Sequence, residues 1–276
     1  MPIRRLALLS FASLVGTLTV TDAHVQTLQP HRAVYDLALA ETSNTSDVDG
    51  LSGRWVYEFS GSACQGYTLS SRIVMRFDMV DGPRVVDQRV TSTEAPDGSS
   101  LRFRTSAFID EVEESEVRGV ARKEPSRTVV EYEEPEDVER SFGPTLFPTE
   151  QLRELLRKAD EGERFYQTAI FDGTEFTDKA VAMSVVIGRP KPVGQDDPER
   201  NALDSLAADP FRPITAAYFN GEGSSDGEET SDYIVSFKLH ESGIQRDMHI
   251  RYRDYAMTGT LAELSLLEME EGCEAE

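Results

Sequence analysis

Residues 60–72 read SGSACQGYTLSSR. This glycine- and serine-rich stretch separates two runs of strand character. Residues 53–59 (GRWVYEF) place Trp55, Tyr57 and Phe59 on one face, and residues 67–78 (YTLSSRIVMRFD) form a long second strand. The stretch also holds Cys64, one of two cysteines in the chain. The other, Cys273, is the fourth residue from the carboxyl end. A bond between them would enclose almost the whole chain that follows the leader, and chain-entropy reasoning puts closure of so long a loop at roughly 5 kcal/mol. It requires an oxidising compartment and two cysteines within bonding distance. Two free thiols and a redox pair are the alternatives. No C-x-x-C motif is present, and neither cysteine sits at an Arg/Lys-rich helix start that would favour a thiolate.

Outward from this centre the chain reads as hairpins. Residues 31–41, 85–94, 100–109, 112–122 and 127–133 have strand patterning, and Asp81-Gly82 and Pro96-Asp97-Gly98 mark turns. The acidic residues 135–140 are expected to break the sheet. Thr149 then reads as the N-cap of the clearest helix, with Leu152, Leu155 and Leu156 in an apolar stripe and an end by Gly162. Strands return at 163–171, 179–187, 211–220, 233–239, 244–255 and 257–268. Residues 189–199 are expected as an exposed loop, 200–208 as a short helix, and 221–231 as an acidic loop rich in glycine and serine. The total is about 12 to 14 strands and two helices, the pattern of an all-β sheet, sandwich or barrel. No linker marks a clean boundary, so residues 24–276 are read as one domain.

The first residues bear on compartment. Arg4 and Arg5 precede an uncharged, mostly apolar run over 6–20, and Thr21-Asp22-Ala23 offers small residues for a signal peptidase. Residues 1–23 are expected as a cleaved signal peptide, leaving no stable membrane insertion; an uncleaved anchor is the alternative. The chain carries 50 acidic against 28 basic residues. Such a surface repels phosphate backbones, which argues against nucleic acid as a partner.

The search for chemistry is mostly negative. There is no G-x-S-x-G nucleophile elbow, since the literal match at 223–227 falls in the acidic glycine- and serine-rich loop, and there is no H-E-x-x-H and no P-loop. His24, His31, His240 and His249 have no mutual metal-ligand spacing, so no metal or cofactor is expected. Asp36, Glu58, Asp247 and Asp254 fall in strand-like segments, and any of them that faces inward needs a partner such as Arg72, Arg246 or Arg253. No pair is selected by spacing, and no catalytic residue is nominated. The aromatic residues fill a core or line the cavity of a curved sheet. The candidate concave-face or ligand-lining residues are Trp55, Tyr57, Phe77, Phe103, Leu152, Leu155 and Leu156.

His31-Arg-Ala-Val-Tyr35, Gly61-Ser-Ala-Cys64-Gln-Gly-Tyr67, Arg72, Leu146-Phe-Pro-Thr149 with Leu152, Tyr233-Ile-Val-Ser-Phe237, Glu241-Ser-Gly243-Ile244-Gln-Arg246-Asp247 and Cys273 occur in that order. Together they resemble the EipB-like family, alphaproteobacterial periplasmic cell-envelope integrity proteins formerly known as a domain of unknown function. The resemblance implies a disulfide between Cys64 and Cys273. It also implies a β-spiral, a curved many-stranded antiparallel open barrel with two helices, similar to periplasmic lipoprotein carriers. The implied role is non-enzymatic support of the envelope from the periplasm. The expected means is binding of a protein partner; a lipid or acyl carrier is the second reading and an envelope hydrolase the third. The acidic loops at 196–200 and 221–230 depart from the family pattern and put a shared partner surface in question.

Overall fold

The computed structural model describes residues 28–220 and 230–269. The expected leader, Cys273 and most of the acidic 221–231 loop lie outside them.

Fourteen strands form one sheet. They are β1 (His31–Thr42), β2 (Val48–Ser62), β3 (Gly66–Met79), β4 (Gly82–Glu94), β5 (Ser100–Ile109), β6 (Val112–Glu124), β7 (Arg127–Glu134) and β8 (Val138–Phe142), then β9 (Phe165–Ile170), β10 (Val181–Ile187), β11 (Phe211–Phe219), β12 (Tyr233–His240), β13 (Gln245–Arg251) and β14 (Tyr255–Leu266). The helix α1 (Pro148–Asp160) lies between β8 and β9, and α2 (Arg200–Leu203) runs into a 3-10 turn over Asp204–Ala208. Every strand pairing is antiparallel, and β1 pairs with both β2 and β14. Two meanders therefore run outward from the β1–β14 seam, one ending at β8 and the other at β9. These edge strands do not pair, so the sheet is curved but unclosed. Leu146, beyond β8, bridges toward β9: its N–H donates to Ala169 O (2.9 Å) and its carbonyl accepts from Phe171 N (3.0 Å).

The opening stretch forms the β2–β3 hairpin, and Cys64 sits in its turn. Gly61 (φ 100°) and Gly66 (φ 90°) close it. A Cβ on either glycine would fall 2.2 Å from a backbone carbonyl oxygen, so only glycine fits.

The sheet's inner face is filled from within. Leu152, Leu155, Leu156 and Ala159 of α1 join one cluster with Tyr35, Leu51, Phe59, Phe77, Met183, Ile214, Leu239 and Met248. The helix begins two residues earlier than a cap at Thr149 implies, with Phe147 as its N-cap. Pro148 occupies the first turn, where its missing N–H costs nothing, so Thr149 is not the N-cap. Its N–H is instead capped from another element: Glu94 Oε1 of β4 accepts it at 2.6 Å. A carboxylate there also meets the positive end of the helix dipole. The segment 171–180 fills the other part of the bowl. Phe171 packs with Phe103, Tyr132 and Phe147 in a second cluster. Gly173 (φ 74°) lies so close to Phe103 that a Cβ would fall 2.3 Å from Cγ.

Two expectations are corrected. The break expected at 135–140 is shorter, because β8 resumes pairing at Val138 against Tyr132. The loop 189–199 is not simply exposed: Val193 is buried, and Glu199 is 1% exposed.

Candidate functional site

A pocket of about 250 Å³ opens where 171–180 crosses the ends of β11 and β12. Antiparallel pairing sets Tyr218 directly opposite Tyr233. Their rings stack at 4.5 Å between centroids and 14° between planes, and Tyr252 continues the row 5.8 Å from Tyr233. Ile170, Phe171 and Val181 supply apolar wall, and Asp172, Glu175 and Asp232 supply carboxylates. Asp172 Oδ1 accepts from Thr174 N (3.0 Å) and Thr174 Oγ1 (2.7 Å), an arrangement of the Asx-turn kind. Asp232 Oδ2 accepts from Asn220 N at 2.6 Å. Among the described residues no Lys, Arg or His lines this pocket.

The tyrosines register the resulting field. Burial and the Asp172 charge push the Tyr218 phenol up to about 12. Burial raises Tyr233 further, helped by Tyr218 and Asp172, and burial with Glu175 raises Tyr252. All three hydroxyls stay protonated in a negative environment.

A second set of charges is wholly enclosed. Arg246 is fully buried, and its Nη1 donates to Glu199 Oε2 (2.9 Å) and Asp197 Oδ2 (3.0 Å). Glu199 Oε1 also accepts from Asp247 N (3.0 Å) and Leu261 N (2.6 Å), bonding backbone donors of β13 and β14. Burial raises the Glu199 pKa, and the donors around it oppose that rise. For Asp197, burial also disfavours the charge, but hydrogen bonds from Lys238, the Glu199 N–H and Arg246 outweigh it and leave the pKa lowered. Arg246 Nε donates to His240 Nε2 at 3.0 Å, so that ring is neutral, and burial with the Arg246 charge holds it down at about 4.

The sequence-nominated residues distribute as follows. Phe77, Leu152, Leu155 and Leu156 are buried in the main cluster, and Trp55 and Tyr57 are half-buried beside it. Trp55 Nε1 donates to Ser71 Oγ at 2.7 Å. The space flanked by Trp55, Tyr57, His31, Gly243 and Met248 amounts to about 20 Å³. Phe103 is not with these residues; it belongs to the second cluster, under 171–180. Cys64 lies in the β2–β3 turn, and no free cysteine occurs among the described residues. His31 is buried, with Nδ1 2.7 Å from Gln29 O. Among the described residues no group of three or more His, Cys, Asp or Glu is placed to hold a metal ion, and no helix is long and apolar enough to cross a membrane.

The sequence reading nominates none of Tyr218, Tyr233, Tyr252, Asp172 and Asp232 as site residues, and Tyr233 enters it only in the motif that carries the family resemblance. The hairpin reading of 211–220 against 233–239 held the missing signal, since its register brings two tyrosines face to face. It named Arg246 as a partner for a buried carboxylate but looked for that carboxylate in strands. The partners lie in the loop ending at Glu199.

Comparison with known proteins places these features in a family. A family model described as EipB-like matches residues 22–268. A relative from Brucella abortus (strain 2308), the cell envelope integrity protein EipB, is 41% identical over 242 residues, which cover 87% of this chain and 85% of the relative. A crystal structure of a β-barrel-like protein of the domain of unknown function DUF1849, also from Brucella abortus, superposes with a TM-score of 0.81 at 41% identity. It covers 87% of this chain and 99% of the other.

Proposed function

This chain belongs to the EipB-like family, and we propose that it supports cell-envelope integrity from the periplasm by binding a protein partner, without catalysis and without carrying an acyl chain. The name of the Brucella abortus relative supports the envelope role. The observation that carries the choice of mechanism is the filled inner face. An acyl chain gains about 0.8 kcal/mol per methylene only where an apolar space receives it. Beside Trp55 and Tyr57 the space is about 20 Å³, enough for about one water molecule. The leucines of α1 fill the space beside it, and the larger pocket beneath 171–180 is lined by Asp172, Glu175 and Asp232, which disfavour a fatty acid's carboxylate.

The displaced acid–base groups also favour a structural use. Glu94 is raised by burial and caps α1, while Glu199 and His240 are tied to Arg246. Perturbed carboxylates in an enzyme are expected to face substrate space. Outside, β9 is a sheet edge, and its Phe165 (54% exposed) pairs with Val186 of β10 (52% exposed). An edge strand with apolar side chains beside it suits strand addition by a partner. The formal charge of −22 favours a basic partner and a salt-sensitive association.

The test is complementation of a strain lacking the gene, scored by survival in detergent. Joint Phe165→Asp and Val186→Asp substitution is expected to leave stability within about 1 kcal/mol, since both sites are exposed, and to fail to restore resistance. Full restoration by a stably folded double variant would overturn docking at this edge.

A further inference from the structure

We propose that the pocket beneath 171–180 is a binding site for a small organic cation, an ammonium group carried on a compact apolar body. This inference does not rest on the partner reading, since the pocket and the exposed Phe165–Val186 pair are separate features.

Three observations converge. The pocket's volume, about 250 Å³, falls just under the usual range for small-molecule sites, roughly 300 to 1,000 Å³. It therefore suits a small ligand. Its walls combine the Tyr218–Tyr233–Tyr252 row with Ile170 and Val181. Aromatic rings attract cations through their quadrupole, and apolar neighbours receive the carbon atoms around the nitrogen. Finally, Asp172 and Asp232 are fixed by bonds from Thr174 and from the Asn220 N–H. Those donors are neutral and cancel no charge. Since no Lys, Arg or His of the described residues lines the pocket, the Asp172 and Asp232 carboxylates set a negative potential over the tyrosine row. Burial is the main cause of the upward displacement of the three phenols, and the Asp172 and Glu175 charges add to it in the direction this potential requires.

A neutral sugar also stacks on tyrosine, but it draws nothing from the net charge. An anion or a fatty acid would be repelled. The charge selects the cation, and the rings select an organic one over a bare metal ion, which prefers a cage of oxygen ligands.

The probe is choline, with its uncharged carbon isostere 3,3-dimethylbutan-1-ol as the comparison. Both are titrated against the full mature chain by calorimetry and tyrosine fluorescence. Saturable binding of choline is expected, weakening as salt is raised, with the isostere at least about tenfold weaker because it lacks the Coulomb attraction. Asp172→Asn and Asp232→Asn keep an oxygen acceptor for the same donors and remove only the charge. Each is expected to weaken choline by about tenfold with the melting temperature unchanged. Equal binding of choline and its isostere, no saturable choline binding to the wild-type chain, or unchanged affinity in both stably folded variants would overturn the proposal.

Discussion

His240 shows how one buried residue sets a pH dependence. Its Nε2 accepts from Arg246 Nε, and burial beside that fixed positive charge holds its pKa at about 4, below the ordinary 6.5. Above pH 6.5 the ring is neutral in both folded and unfolded chains and contributes no slope. Between 6.5 and about 4 the unfolded chain takes up a proton that the folded chain refuses, so stability falls as pH falls. The loss is complete below the folded value and is on the order of 3 kcal/mol. His240→Gln keeps an acceptor for Arg246 and cannot titrate. Urea unfolding across this window is expected to give a flatter pH profile for the variant than for the wild type. Identical profiles would show that His240 does not carry the dependence. This residue's burial was not legible in its sequence neighbourhood, because the Arg246–Glu199 network that encloses it is assembled from a loop and a strand 47 residues apart.

At the scale of elements, α1 shows what a sequence discloses and what it withholds. The stripe Leu152, Leu155, Leu156 follows from helical periodicity, and those residues are the ones the fold buries. The first residue of the helix was misplaced because its N-cap, Phe147, is not a capping residue type, and the Thr149 N–H is bonded by Glu94, 55 positions away on β4. Capping rules read neighbours along the chain and do not reach a donor–acceptor pair made by tertiary structure. The β8 strand was missed for a related reason: residues 135–140 are acidic and carry a proline, and pairing with β7 overrides that weak local preference. The hairpins were legible because turn residues and alternation are local. Leu155 is 1% exposed within the main cluster. Leu155→Asp is therefore expected to cost at least about 4 kcal/mol, by removing apolar contacts and burying a charge. Chemical denaturation checks this, and a change below about 0.5 kcal/mol would mean that α1 is peripheral to the fold.

At the scale of the molecule, two meanders leave a common seam and curve around α1 and the 171–180 segment, without closing. The proposed bond from Cys64 in the β2–β3 turn to Cys273 would tie the far carboxyl end to the middle of the first meander. Replacing both cysteines by serine is expected to lower stability by about 5 kcal/mol on chain-entropy grounds. Peptide mapping without reductant should yield one cross-linked species, whereas two separate thiol peptides would remove the bond from the account. The many-stranded class was readable because strand spacing is a property of the whole chain. The pocket's composition was not, because its tyrosines and carboxylates meet only once β9, β11 and β12 share an end of the sheet. Under the proposed function the inner face around α1, occupied by the protein's own side chains, carries no acyl cargo. Native mass spectrometry of the chain purified from the periplasm, followed by organic extraction, tests it most directly. The account predicts the mass of the mature chain with no stoichiometric acyl species in the extract; an acyl species recovered at about one per chain would contradict it.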